Sequence, residues 1–313
     1  MPADDPAATA TAPPAEPAAP VTAQARGADR EDLPPPARRR PGPGGPGVGT
    51  WCAIAFLSLL ALAGLTAPLL PLPDPERVDT GALAAGISSG HWLGTDALGR
   101  DVLARIVYGA RVSLVVAGGA TVVGAAVGTL LGMIAGLGRG WTQAVVMRAT
   151  DVLLAFPALV LALAVIGAVG PSTLSVTLVV GLLFVPGFVR VVRAPVMSLA
   201  QREFVLACRA MGMATPKLMA REILPNITAV VVTYAVTMFG IGVMVEGALG
   251  FLGVSVPPPS PTWGGMISEG RQVLADHPMV SLTPTLVLVL VVLCANVIGD
   301  RLSSLLDVRG AML

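Results

Sequence analysis

Long runs without charged residues are the feature that most limits what this chain can fold into. A helix that crosses the ~30 Å hydrocarbon core of a bilayer needs about 20 apolar residues, at about 1.5 Å each. Gly170-Pro171-Ser172 predicts a turn that divides the longest run into two spans. The sequence therefore predicts an all-α membrane protein with six transmembrane helices. Four of the runs contain no Asp, Glu, Lys or Arg and the last contains only Glu246: 51–70, 112–138, 152–189, 279–299 and 227–251.

Composition excludes several other classes of protein. Charged residues make up 12% of the chain, about half of the roughly 25% found in soluble domains, which argues against an ordinary soluble enzyme. The net charge is only +1 and the basic residues form no single stripe, so we expect no nucleic-acid partner. The three cysteines contain no C-x-x-C pair, which argues against a disulfide framework or a cysteine-built metal site.

The distribution of basic residues predicts the orientation of the chain. With the amino terminus inside, 15 of the 20 Lys and Arg residues fall on the inner side and 5 on the outer side, as the positive-inside rule requires. We therefore predict a multi-pass protein of a bacterial plasma membrane with both termini in the cytoplasm. An odd number of spans would follow if 38–63 were a cleaved signal peptide, but its apolar run is long for that role.

Four segments are predicted along the chain. An Ala- and Pro-rich cytoplasmic tail without the apolar content to fold covers 1–48. The first span and an extracytoplasmic amphipathic segment cover 49–110, and the main transmembrane domain covers 111–300. A cytoplasmic carboxy-terminal tail covers 301–313.

The sequence contains no motif for chemistry of its own. The single lysine, Lys217, follows a proline and does not belong to a G-x-x-x-x-G-K-[ST] phosphate-binding loop. His91 and His277 are far apart in sequence, and H-E-x-x-H does not occur. We therefore predict no catalytic residue, no cofactor and no metal in this chain, and any energy for transport must come from elsewhere.

The inner loop 190–226 is the most informative stretch of the sequence. A first short helix over 202–211 is expected to end at Gly212, a natural C-cap. A second helix is expected to begin with Thr215 as its cap and Pro216 at its first position, and to end at Pro225. A small-faced helix pair that protrudes beneath the membrane predicts a docking site for another protein.

The residues of this loop resemble a known motif. The run 204–212 (F-V-L-A-C-R-A-M-G), with I-L-P-N at 223–226, is similar to the EAA loop of ABC importer permeases, although Leu206 stands where the family has Glu. The resemblance implies a coupling helix that seats in a groove of a partner ATPase. The coupling residues it implies are Phe204, Val205, Ala207, Arg209, Ala210, Met211, Gly212, Thr215, Pro216 and Lys217.

Three further runs narrow the resemblance. Residues 91–114, 246–264 and 296–307 resemble the second permease subunit of dipeptide, oligopeptide and nickel importers. This implies the type I ABC importer permease (MetI-like) fold in a lipid membrane. It also implies a second homologous permease, one or two P-loop ATPase subunits that carry ATP and Mg²⁺, and an extracytoplasmic substrate-binding protein. The cargo expected is a di- or oligopeptide, with nickel or another small solute as the alternative.

The segment 95–111 before the second span is amphipathic. It predicts either an interfacial helix on the outer leaflet or a contact for the binding protein or gate. Its expected docking residues, together with a tryptophan near the last span, are Thr95, Asp96, Arg100, Asp101 and Trp263.

Three residues are candidates for the pathway or gate. Glu246 is an acid well inside a span, which is costly and therefore suggests function; the alternative is a carboxylate hydrogen-bonded near the outer interface. Asp151 precedes the third span, where it is expected to cap the helix. Pro157 and Pro186 predict kinks that serve either as static bends or as hinges.

Two other classes of protein remain as alternatives. A secondary transporter driven by an ion gradient predicts several intramembrane acids and internal repeats, and the sequence has one such acid and no evident repeat. A scaffold or receptor without transport activity is the second alternative. Neighbouring genes for a permease, ATPases and a secreted binding protein would favour the importer.

Overall fold

The computed structural model describes the backbone of residues 47–310 and the side chains of residues 47–305. All but the last two residues of the predicted tail 1–48 therefore lie outside the described residues. Apart from a single isolated bridge between Thr95 and Asp101, the regular structure of the described part is helical. The helices are α1 (Val48–Thr66), α2 (Val102–Leu137), α3 (Trp141–Ala155), α4 (Ala158–Val169), α5 (Thr173–Leu199), α6 (Glu203–Ala210), α7 (Thr215–Leu218), α8 (Leu224–Phe251), α9 (Trp263–Gly270) and α10 (Met279–Gly310).

Five helical segments of the described chain are long and apolar enough to cross a membrane, and the pair α3–α4 makes a sixth if it is counted as one span. The pair is bent by 89° at its break, between Ala155 and Ala158. The structure is thus an all-α membrane protein, and the predicted hairpin at 170–172 is confirmed. Ser172 caps α5 by accepting a hydrogen bond from the Ser175 N–H at 3.0 Å.

Two predicted boundaries are wrong. The third span was expected from residue 152, but its helix begins at Trp141 and breaks at Pro157, because proline lacks the N–H that would continue the helix. A helix was expected over 95–111, but α2 is one helix of 36 residues that begins at Val102. Helix α10 extends into the predicted tail 301–313 as far as Gly310, and the cytoplasmic position of that tail stays a prediction.

A ridge of glycines brings α2 and α5 into backbone contact. A Cβ atom at Gly128 would overlap the Cβ of Phe188, and one at Gly132 would lie 2.8 Å from the Cβ of Val192. Because contacting positions increase together along both helices, the two run parallel. Small residues spaced by four allow this close approach between membrane helices. The four glycines of the ridge are Gly124, Gly128, Gly132 and Gly136.

The remaining spans pack around this pair. On α8, Gly240 faces Ala295 of α10 and Gly242 faces Ala117 of α2. We call the end of the bundle with α6, α7 and the α2–α3 turn the near end, and the end with 70–101, 170–172 and 252–278 the far end. The candidate sites lie at these two ends.

Candidate functional site

The near end carries an elbow, defined here as residues 203–218. Helix α6 ends at Ala210, and two residues later Gly212 has a left-handed φ of 79°, which suits glycine. The Gly212 N–H donates to the Arg209 carbonyl and the Met213 N–H to the Cys208 carbonyl, each at 3.0 Å. This pair of bonds is a Schellman motif and confirms the predicted stop.

The second half of the elbow differs from the prediction. Thr215 is the first residue of α7 rather than its cap, and Pro216 follows it in the first turn. The helix does not end at Pro225 but continues through a π-helix, Met219–Ile223, into α8. A π-turn adds a residue to the helix and so loosens the i−4 spacing that proline cannot satisfy. The expected cap, Asn226, instead donates from Nδ2 to the Glu222 carbonyl at 2.6 Å.

The elbow has one buried side and one exposed side. Val205 is fully buried in a cluster with Val192 and Val196 of α5, Met133 of α2 and Ile223. Through this cluster α6 packs against residues of α2, α5 and the π-helix that leads into α8. Among the coupling candidates, Arg209 is half-buried, and the exposed ones are Phe204, Ala207, Ala210, Met211, Gly212, Thr215, Pro216 and Lys217. Leu206, which replaces the Glu of the family motif, is also on the exposed side and is 50% exposed.

The far end is organised by a charge cluster, defined as Asp96, Arg100, Arg105 and Glu269. The first three residues are buried, and the Glu269 side chain is 34% exposed. The Arg100 Nε donates to Asp96 Oδ2 at 2.7 Å, and its Nη2 donates to Glu269 Oε2 at 2.5 Å. The Arg105 Nη2 reaches the same Glu269 oxygen at 2.8 Å. Two positive and two negative groups balance each other, which permits burial that isolated charges would not tolerate.

A tight turn supports the cluster. Asp101 caps α2 by accepting from the Ala104 N–H at 2.8 Å, and its Oδ2 lies 2.8 Å from His91 Nδ1. The Thr95 hydroxyl accepts from the Ala85 N–H at 2.8 Å. These contacts explain why 95–101 is a turn and not a helix: the polar groups are used within the loop.

The five docking candidates are therefore inside the fold of this chain. Trp263 is completely buried, and its indole N–H donates to the Ile106 carbonyl at 3.1 Å. Contact with a binding protein stays a prediction for this region, and the structure adds a supporting role that the sequence did not indicate. All five side chains have a relative exposure of at most 6%: Thr95, Asp96, Arg100, Asp101 and Trp263.

Glu246 lies in α8 and is fully buried. The Ser255 hydroxyl donates to its Oε1 at 3.1 Å, and among the described residues its Oε2 has no hydrogen-bond partner. This carboxylate links the end of α8 to the segment before α9. A role in the pathway stays a prediction, and the observed contact corresponds to the alternative of a hydrogen-bonded group near the far end.

The remaining two candidates lie on the bent pair. Asp151 is in the fourth turn of α3 and does not cap a helix; its Oδ1 accepts from Arg190 Nη2 of α5 at 2.7 Å. The capping prediction is wrong because α3 begins ten residues earlier. Pro157 immediately precedes α4, at the break of the bent pair, and a hinge role stays a prediction.

Sequence reasoning missed Glu269, Arg105 and Ser255 as site residues. Arg105 and Glu269 are separated by 164 positions, so no local pattern connects them. One signal was available in the sequence: several arginines lie at the start of a membrane helix. Arginines in such a position need acidic partners elsewhere in the fold.

The chain matches a known protein family over most of its transmembrane region. The family described as "Binding-protein-dependent transport system inner membrane component" matches residues 128–309, more than half of the 313 residues. The chain belongs to this family. It is a permease subunit of an ABC importer, a class that spans the inner membrane and operates with ATPase and binding-protein partners.

Relatives of known name agree with this family. The chain is 39% identical over 255 residues to the dipeptide transport system permease protein DppC of Alkalihalophilus pseudofirmus, covering 81% of this chain and 84% of the relative. It is 37% identical over 260 residues to the glutathione transport system permease protein GsiD of Pectobacterium atrosepticum, covering 83% and 86%. A putative peptide permease protein of Brucella suis is 38% identical over 261 residues, with the same coverage of 83% and 86%.

Proposed function

We propose that this chain is a non-catalytic translocation subunit of an ATP-driven importer for short peptides. The cargo follows from the relatives, whose names specify dipeptides, glutathione or peptides. The chain works beside a second homologous permease, with one or two P-loop ATPase subunits that hold ATP and Mg²⁺. A binding protein delivers the peptide at the far end. The near end and both termini face the cytoplasm, in agreement with the excess of basic residues there.

The elbow is the observation that carries this proposal. Its outward side presents small and apolar residues, with Met211 77% exposed, and a partner that covered them would bury apolar surface. Its inward side is joined to α2, α5 and α8 through the cluster that contains Val205 and Leu218. ATP binding that moves the partner ATPases would move the elbow, and the buried contact would pass this displacement to the spans. The change is a population shift that the differential contacts drive.

Reconstitution of the whole importer in proteoliposomes tests the proposal. The variant Ala207→Arg places a large charge on the exposed side of α6, whereas Ala207→Ser keeps a small side chain at the same exposed position. We expect Ala207→Arg to abolish peptide-stimulated ATP hydrolysis and uptake while binding-protein affinity is retained. We expect Ala207→Ser to behave like the unaltered chain.

Two results would contradict the proposal. Coupled uptake by Ala207→Arg at the unaltered rate would show that the elbow does not couple the ATPase subunits to transport. Uptake by this chain alone, driven by a proton or sodium gradient without ATPase subunits, would establish the alternative of a secondary transporter.

A further inference from the structure

A cavity of about 720 Å³ opens at the far end of the bundle. Its walls are the loop after α1, the early turns of α2, the first residue of α5 and the segment before α9. Cavities of about 300–1,000 Å³ are typical of sites for small molecules. The volume is therefore sufficient for a short peptide.

The cavity has charged groups of opposite sign on different walls. Asp74 and Glu76 belong to the loop wall and Arg111 to the α2 wall, and all three side chains are exposed. None of the ion pairs among residues 47–305 includes any of the three. The acidic and basic groups thus face one space without neutralising each other.

Apolar residues of both walls lie among these charges. Leu72 belongs to the loop wall, and Val112 and Val115 belong to α2. Val115 is 52% exposed, so its side chain is available for contact. A cavity that combines acidic, basic and apolar lining residues matches a molecule with two charged ends and apolar side chains.

The acidic wall is tied to α2 by the charge cluster. Arg105 Nη1 donates to the carbonyl of Pro75 at 3.4 Å, and Pro75 is the buried residue between the two acids. The position of Asp74 and Glu76 relative to Arg111 is therefore held by a buried contact. A binding site requires this kind of support for its polar groups.

We propose that the cavity is a subsite for a short peptide with free termini. Asp74 and Glu76 accept hydrogen bonds from the peptide ammonium group, and the Arg111 guanidinium donates to the terminal carboxylate, a geometry that suits its planar donors. Leu72, Val112 and Val115 contact the peptide side chains. The inference rests on the proposed function. It means that this chain, in addition to the binding protein, selects which peptides are transported.

Two measurements on the intact importer test the subsite. The probes are trialanine, its carboxy-terminal amide and its amino-terminal acetyl derivative. Uptake is measured in proteoliposomes, and binding to the purified complex without its binding protein is measured by saturation-transfer NMR. The variants are Arg111→Gln and the pair Asp74→Asn with Glu76→Gln, and Arg77→Gln, an exposed arginine of the same loop, is the matched control.

Loss of one charged hydrogen bond lowers affinity by about tenfold or more. We expect Arg111→Gln to lower uptake and binding of trialanine about tenfold and to leave the amide almost unchanged. We expect the acid pair to affect trialanine but not the acetyl derivative, and Arg77→Gln to affect none. The binding protein is the same in every uptake sample, so an altered ratio between peptides originates in this chain.

Other outcomes would overturn the subsite. Equal effects of Arg111→Gln on all three peptides, or none, contradict recognition of the carboxylate. Loss of the second permease or of the binding protein from the complex would show that a protein segment occupies the cavity. If the unaltered importer takes up no peptide, the proposed function fails, and the NMR measurement alone then decides whether the cavity binds the peptide.

Discussion

The two ends of this helix bundle are held together by opposite kinds of interaction. The near-end elbow is joined to the spans by apolar contacts around Val205. The far end is joined by the charge cluster of Asp96, Arg100, Arg105 and Glu269, in which all but Glu269 are buried. Apolar packing is non-directional and tolerates small rotations. A charge cluster depends strongly on the geometry of its hydrogen bonds. It loses most of its stabilising free energy when one partner is removed. The comparison suggests a near end built to transmit displacement and a far end built to keep its shape.

The largest effect is expected at the far end. Replacing Arg105 by Met should lower the free energy of unfolding by about 3 kcal/mol, because the buried Asp96 and the partly exposed Glu269 both lose a partner. Denaturation of the purified chain in detergent measures this difference. Arg77→Met, at an exposed position, is the control. A loss below about 1 kcal/mol, as for exposed pairs, would break the comparison.

A smaller effect is expected at the elbow. Val205→Ala removes two buried carbon atoms, at about 0.8 kcal/mol each plus a cavity contribution, so we expect a loss of about 2 kcal/mol. Leu206→Ala, on the exposed side of α6, should change stability by less than about 0.5 kcal/mol. The same denaturation experiment measures both variants. Equal effects at the two positions would mean that the elbow is not docked through Val205.

The cap of α2 tests whether the far end can be destabilised without affecting the near end. Asp101→Ala removes the acceptor for the Ala104 N–H and should lower stability by about 1 kcal/mol. Hydrogen exchange of the α2 amino terminus should rise in this variant while that of the elbow stays the same. Asp79→Ala is the control, since Asp79 is exposed and accepts only within its own turn. Faster exchange at both ends would show that the two ends unfold as one unit.

The smallest effect is expected for an exposed ion pair. Asp151 and Arg190 are 57% and 53% exposed, so Asp151→Asn should cost about 0.2–1 kcal/mol. The difference should vanish near 1 M salt, where the screening length is about 3 Å, whereas the Arg105→Met effect should persist. Denaturation at low and high salt distinguishes the two. A salt-resistant loss at Asp151 would place this pair in a drier environment than its exposure indicates.

Much of the fold follows from local sequence rules. Charge-free length predicts the spans, and Gly212 and Ser172 act at the helix termini where their chemistry predicts. The α6 helix and the approximate ends of α8 and the start of α10 follow in the same way. These features depend on residues that are neighbours in the chain, so a sequence pattern is sufficient to find them.

The errors have a shared cause in contacts between distant residues. The charges of 95–111 indicated a solvated helix face, but Asp96 and the α9 residue Glu269 together neutralise Arg100 and Arg105. This allows α2 to begin inside the fold. Asp151 indicated a helix terminus, but its partner is Arg190 on another helix. An interpretation that takes every charged residue to be solvent-exposed or at a helix terminus fails where the fold brings a distant residue against it as an ion-pair partner.

The glycine ridge between α2 and α5 has a mechanical consequence. With no side chains to separate them at Gly124, Gly128, Gly132 and Gly136, the two backbones interlock over about four helical turns and behave as a single stiff beam. Rotation of either helix alone would drive valine and phenylalanine side chains into the opposing main chain. We therefore expect a passage for cargo to open along other helix boundaries, with α2 and α5 moving together as one unit.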